Sequence, residues 1–196
     1  MAERPSPIES VPSARRLVDS LRDVGYDFPS AVADLVDNSI AASATKVDIQ
    51  CHWEEQESWV RVADNGTGMN GATLTEALRF GADRGYEPDD LGKFGLGLKT
   101  ASLSQCREFS VASRVSQRAA RIEARRFSLN RILEEDRWEI ENLPSSYRPP
   151  ELVEPLLARP GTTVLWSDLD RMLSSRVLRG KQAKDSWFKL LEQLEF

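Results

Sequence analysis

The spacing of apolar positions changes several times along the chain, and each change marks an element. In SARRLVDSLRDVGYD, Leu17, Val18 and Leu21 recur at helical spacing, and Gly25 reads as a stop. Pro29 and Ser30 open a second helix, which AVADLVDNSIAA carries to about Ala42. The period then drops to two. Val47, Ile49, Cys51 and Trp53 alternate, EEQES reads as a turn, and Trp59-Val60-Arg61-Val62 resumes the alternation, so a hairpin ends in DNGTGM at 64–69. TLTEALRFG returns to the helical period, and ADRGYEPDD is polar and turn-prone. LGKFGLGLKTASLSQC begins glycine-rich and continues as a helix former. Residues 109–115 and 119–127 read as two strands, 130–160 as a variable, Pro-containing region, GTTVLW as a strand and 183–195 as a helix. Helices interspersed with antiparallel hairpins predict an α+β sandwich, with helices covering one face of a sheet.

Composition narrows the class. The 196 residues fit one domain, and an apolar fraction of 40% with five Trp and seven Phe supplies a core. A net charge of −5 argues against nucleic-acid binding by overall electrostatics. No run approaches the roughly 18 apolar residues of a membrane span, and MAERPSPIESVPSARR lacks a signal-peptide core. Cys51 and Cys106 offer neither a disulfide framework nor a metal spacing. The expectation is a reduced, soluble, cytoplasmic domain (nuclear in a eukaryote). Residues 1–13 should be a flexible arm, 14–175 the domain and 176–196 a helix leading towards a following domain.

Four stretches carry candidate chemistry. In the second helix Asp34 and Asn38 are four residues apart and share a face, with Asp37 and Ala41 beside them. Val32, Leu35, Val36 and Ile40 form the opposite, apolar face. Ala33, Ala41 and Ala42 are small where a solvated stripe would carry long charged residues, and so leave room for a ligand. In DNGTGM, Asp64 follows a buried strand and can accept from an exocyclic amine; an Asn-Gly turn explains the same residues. In LGKFGLGLKTAS, Gly92, Gly95 and Gly97 precede a helix, whose N-terminal N–H groups bind phosphate, with Lys93 and Lys99 adding charge. A hinge explains those glycines equally well. Finally, Gly161-Thr162-Thr163-Val164 starts a strand, where a hydroxyl could support Asp64 and β-propensity explains the threonines too.

Taken in order, DLVDNS, DNGTGM, GKFGLGLK and GTTV resemble the motif set of the GHKL ATPases. These share the Bergerat fold and include DNA gyrase B, the ninety-kilodalton heat-shock chaperone, MutL, MORC proteins and histidine kinases. The resemblance runs from about residue 14 to about 170, and GKFGLGLKTAS looks most like the MORC-type branch and its bacterial relatives. It implies a two-layer sandwich with a mixed, mostly antiparallel sheet. It also implies an ATP site in which Asn38 coordinates Mg²⁺, Asp64 holds the adenine amine, and Gly66, Gly68 and Met69 shape the adenine pocket. Residues 71–91 would be the lid, Gly92, Lys93, Phe94, Gly95, Leu96, Gly97 and Lys99 the phosphate loop, and Thr162 the brace of Asp64. In the family a lysine from a following domain often completes the γ-phosphate site, and residues 171–196 are too short for such a domain.

One position departs from the family pattern. The hydrolytic base is usually Glu, four residues before the Asn, and here it is Asp34, whose carboxylate reaches about 1.5 Å less far. The resemblance with this change implies a weak ATPase whose nucleotide drives homodimerisation through lid and arm; the alternative is a nucleotide-gated binding module without useful hydrolysis. A histidine-kinase-like domain is disfavoured, because the sole histidine, His52, lies in a predicted strand. Seven arginines between 107 and 131 raise nucleic-acid contact as a further reading, if the hairpin places them on one face.

Overall fold

The computed structural model of the chain describes residues 8, 10–23, 26–80, 97–115, 121–172, 181–192 and 194. Two helices come first, α1 (Ala14–Arg22) and α2 (Phe28–Ala41). The α1 N-cap, Ser13, and the main-chain N–H of Arg15 both bond Asp136 Oδ1, at 2.8 and 2.9 Å. The α2 start combines an Asp27 cap, which accepts from Ser30 N at 2.9 Å, with Pro29 in the first turn.

Strands β1 (Val47–His52) and β2 (Trp59–Asp64) form the expected hairpin. Helix α3 (Gly71–Leu78) follows, then α4, described from Gly97 to Gln105. A second hairpin, β3 (Glu108–Arg114) and β4 (Glu123–Ser128), leads into α5 (Leu129–Glu135). The short strand β5 (Glu141–Asn142), α6 (Pro150–Leu157), β6 (Gly161–Ser167) and α7 (Lys181–Leu191) complete the order. The sheet runs β1-β2-β6-β3-β4-β5, and all five pairings are antiparallel. β6, late in sequence, fills the centre between the two hairpins.

Strand alternation sorts the sheet into two faces. Val60, Val62, Phe109, Val111, Phe127, Val164 and Trp166 point to one, where they bury against helical residues such as Val18, Val32, Leu35 and Leu103. This is the expected helical layer. The other face adds a cap: Ala112, Ala124 and Leu165 pack with Leu143, Leu152 and Leu156 from around α6. The 130–160 region therefore holds two helices and a strand. Its prolines are placed where helices accept them: Pro149 caps α6 and Pro150 starts it. Pro155, inside the helix, cannot donate to the Glu151 carbonyl, and that carbonyl instead accepts from Arg61 Nη1 at 3.4 Å.

Two expectations change at the level of faces. The buried stripe of α2 is Phe28, Ala31, Val32, Leu35 and Ser39, while Ile40 is 55% exposed. The buried stripe includes Ser39, whose Oγ lies 3.4 Å from Asp64 Oδ2. In the expected lid, 71–80 includes the packed helix α3, whose Leu74 and Leu78 are buried; residues 81–91 lie outside the described residues. No helix among the described residues is long and apolar enough to cross a membrane.

Candidate functional site

At one end of the site stands Asp64, the last residue of β2, buried at 6% exposure on the helical side of the sheet. Its Oδ1 accepts two main-chain N–H groups, from Gly66 at 2.8 Å and Thr162 at 3.1 Å. Ser39 Oγ lies 3.4 Å from Oδ2. Burial pushes the Asp64 carboxyl above its ordinary value, against the pull of Gly66, Thr162 and then Ser39. Oδ1 is thus held by two N–H groups, while Oδ2 meets only the Ser39 hydroxyl, which also bonds the Leu35 carbonyl at 3.0 Å, and keeps room for a further donor. Thr162 braces Asp64 through its N–H; its hydroxyl instead meets Ser113 Oγ at 2.9 Å.

Ser113 ties this end together. Fully buried, it lies 3.0 Å from the Gly161 carbonyl, which it bonds, and it accepts from Met69 N at 2.7 Å. Nothing in a strand pattern marks such a serine as part of a site, and the sequence reading passed over both Ser113 and Ser39. Backbone crowding explains the glycines. Gly68 has φ of +68°, and a Cβ there would sit 2.2 Å from the Arg114 carbonyl. At Gly161, φ is +141°, with 2.1 Å to the Asp64 carbonyl. A Cβ on Gly66 would sit 2.6 Å from the Ala42 carbonyl at the α2 terminus, where Thr67 N bonds that carbonyl at 3.0 Å.

The other end is built by α2 and α4. Asp34 is half-buried, and a Cβ on Gly97 would stand 3.3 Å from its Oδ2. Asn38 is exposed, and its Nδ2 donates to the Asp34 carbonyl at 2.7 Å, which leaves its Oδ1 available as an acceptor. An amide oxygen suits a hard cation such as Mg²⁺, which takes few protein ligands and completes its shell with phosphates and water. Asn38 therefore fits that role. Among the described residues no group of three His, Cys, Asp or Glu could hold a metal alone. Residues 34 and 39 are about 7.5 Å apart along the helix axis, so α2 touches both ends of the site.

Lys99 is placed differently from the expected phosphate contact. It is fully buried on α4, and its Nζ donates to the Arg79 and Ala77 carbonyls at 2.7 and 3.1 Å, over the Phe80 ring. It ties α4 to the end of α3. Gly92, Lys93, Phe94, Gly95 and Leu96 lie outside the described residues. Asp37, beside Asn38 on α2, is exposed and makes no ion pair among the described residues. A separate cavity of about 480 Å³, between α1, α4 and α7, is lined by Arg22, Gln105 and Lys189 among others.

The described arginines do not converge on one face. Arg125 points to the helical side, bonding Thr75 Oγ1 and the Gly71 carbonyl of α3. Its neighbour Arg126 is on the opposite side with Glu141 and Glu108. Arg114 bonds the Leu156 and Leu157 carbonyls, Arg107 lies near Asp168 and Asp170, Arg121 pairs with Glu123 and Arg131 with Glu139.

Comparison with known proteins gives a consistent picture. The family described as Histidine kinase-, DNA gyrase B-, and HSP90-like ATPase matches residues 26–157. The chain is 36% identical over 122 residues to DNA mismatch repair protein MutL of Rippkaea orientalis, covering 56% of the chain and 20% of that protein. It is 33% identical over 84 residues to ATPase MORC2B of Mus musculus, covering 40% of the chain and 8% of the relative. With DNA mismatch repair protein MLH1 of Saccharomyces cerevisiae, identity is 27% over 173 residues, 83% of the chain and 19% of the relative. The chain thus spans at most a fifth of the length of these relatives.

Proposed function

The chain belongs to the histidine kinase-, DNA gyrase B- and HSP90-like ATPase family, and from that premise we propose that it binds ATP with Mg²⁺, hydrolyses it slowly and uses the bound nucleotide to bring two copies together. The observation that carries the reading is the Asp64 arrangement. A buried carboxylate has one oxygen fixed by Gly66 and Thr162 and the other open to an amine donor. The adenine amine donates to Oδ2, and Gly66, Gly68 and Met69 border the base. Main-chain N–H groups at the start of α4, with the glycines before it, receive the phosphates. Asn38 would hold Mg²⁺, which neutralises phosphate charge as it develops. Asp34, beside Gly97, takes a proton from the attacking water. Its short reach and half-buried setting make turnover slow.

Phosphate release by the wild type, compared with Asp34→Ala and Asn38→Ala, tests the assignment. We expect at least a tenfold loss in each variant; equal release from all three would sink it. Light scattering with ATP and with a non-hydrolysable analogue then separates switch from static binder. Association with both, reversing in time only with ATP, is expected. Persistence with both would favour a binding module in which Asp34 only orders water.

A further inference from the structure

Ser113 lies in register with Thr162 where β3 meets β6, beside the end of β2 that carries Asp64. It is fully buried, so the bonds to its hydroxyl are made away from water. A hydroxyl has one proton and two lone pairs, and here all three are used. The proton goes to the Gly161 carbonyl at 3.0 Å, because a carbonyl can only accept. One lone pair takes the Met69 N–H at 2.7 Å. The Thr162 hydroxyl, 2.9 Å away, is therefore the donor of its pair with Ser113. Thr162 thus spends its O–H on Ser113 and its N–H on Asp64 Oδ1, the latter at 3.1 Å. Its Oγ1 keeps lone pairs only. With Asp64 ionised, the side-chain oxygens of both residues accept and neither offers a proton to a ligand. The same serine anchors the loop after β2. Met69 follows Gly68, whose left-handed backbone (φ +68°) rests against the carbonyl of Arg114, the residue after Ser113.

We propose that Ser113 is a positioning residue for base recognition: its hydroxyl orders Thr162, Asp64 and Met69 into an acceptor-only edge that selects a base carrying an amine. The inference rests on Asp64 facing the adenine, and adds the residue that sets the polarity of that edge. Ser113 acts through Thr162 and Met69, not on the nucleotide itself. Without its oxygen, the Thr162 hydroxyl turns freely and can aim a proton at the base. The Met69 N–H and the Gly161 carbonyl each lose a partner as well. Discrimination at the base then falls, while the phosphate end, built by α2 and α4, is left as it was.

The experiment is calorimetric titration of the full chain with ATP and with purine riboside triphosphate, which carries hydrogen in place of the amine. Wild type should bind ATP at least roughly tenfold more tightly than the amine-free analogue. In Ser113→Ala that ratio should fall to about threefold or less, mainly through weaker ATP binding. The kcat at saturating ATP should stay within about twofold of wild type, with the loss in KM. An equal loss for both ligands, leaving the ratio unchanged, would mean that the serine merely packs, and would overturn the proposal. Ser113→Cys keeps a similar shape with a weakly bonding sulfur, and makes the same comparison should the alanine variant not fold. A wild-type ratio in the cysteine variant overturns the proposal too. Asp64→Asn separates this proposal from the reading beneath it. If Asp64→Asn leaves ATP affinity unchanged, the adenine reading and the proposal fall together. If Asp64→Asn loses affinity while Ser113→Ala keeps the wild-type ratio, the proposal alone falls.

Discussion

Asp64 shows how one residue can be costly to the fold and useful to the site. Its carboxyl is raised by burial, so the folded chain holds that proton to higher pH than the unfolded chain. Its contribution favours folding most below the ordinary value of 3.8 and is lost as pH rises through the raised one. Asp64→Asn removes that slope. With Oδ1 still held by Gly66 and Thr162, the new Nδ2 would face the ligand and replace an acceptor by a donor. We expect the melting temperature at pH 7 to hold or rise, while ATP affinity falls roughly 10- to 100-fold in calorimetric titration. Destabilisation with intact binding would refute both halves. The DNG motif was legible because glycine and aspartate are chemically distinctive. Ser39 and Ser113 were not, since a serine in a helix or strand carries no signal of what lies opposite it.

At the scale of elements, amphipathic periods placed α1, α2 and the first hairpin, but not the exact buried face. Ile40 is the better hydrophobe for the core, yet it is Ser39 that is buried, with its Oγ near Asp64 Oδ2. α5 and α6 escaped notice for a local reason. Ser128 ends β4 and caps α5 at once, and the prolines of α6 imitate a loop. Since α6 covers the face opposite the site, Leu152→Ala should cost about 2–5 kcal/mol in urea unfolding. ATP affinity of the folded protein should change less than about twofold; a larger change would mean that the two faces are coupled. Lys99→Met takes the ammonium from the Ala77 and Arg79 carbonyls, and should destabilise by roughly 1–3 kcal/mol. A variant as stable as wild type would show that those carbonyls find water instead.

For the whole molecule, charge and topology decide what surfaces are offered. Among the described residues the arginine-rich hairpin does not present one basic face, because Arg125 and Arg126 point to opposite sides and the six described arginines engage carboxylates or polar oxygen atoms. Arg121, 79% exposed at its side chain, is the clean test. Any DNA retention on a column at low salt should survive Arg121→Glu unchanged; its loss would restore the hairpin as an interface. Arg125 is no equivalent probe, because reversing it would also unseat α3.

The sequence by itself determined the family and the α+β class and singled out Asp34, Asn38 and Asp64 as candidates, because ordered motifs and periodicity are local properties of a chain. Only the tertiary structure decided that β6 lies between the two hairpins, which puts the Thr162 N–H on Asp64 across a separation of 98 residues. It also decided that Lys99 faces the end of α3. Those contacts depend on how helices settle on a sheet, and spacing along one chain carries no record of a partner from another element.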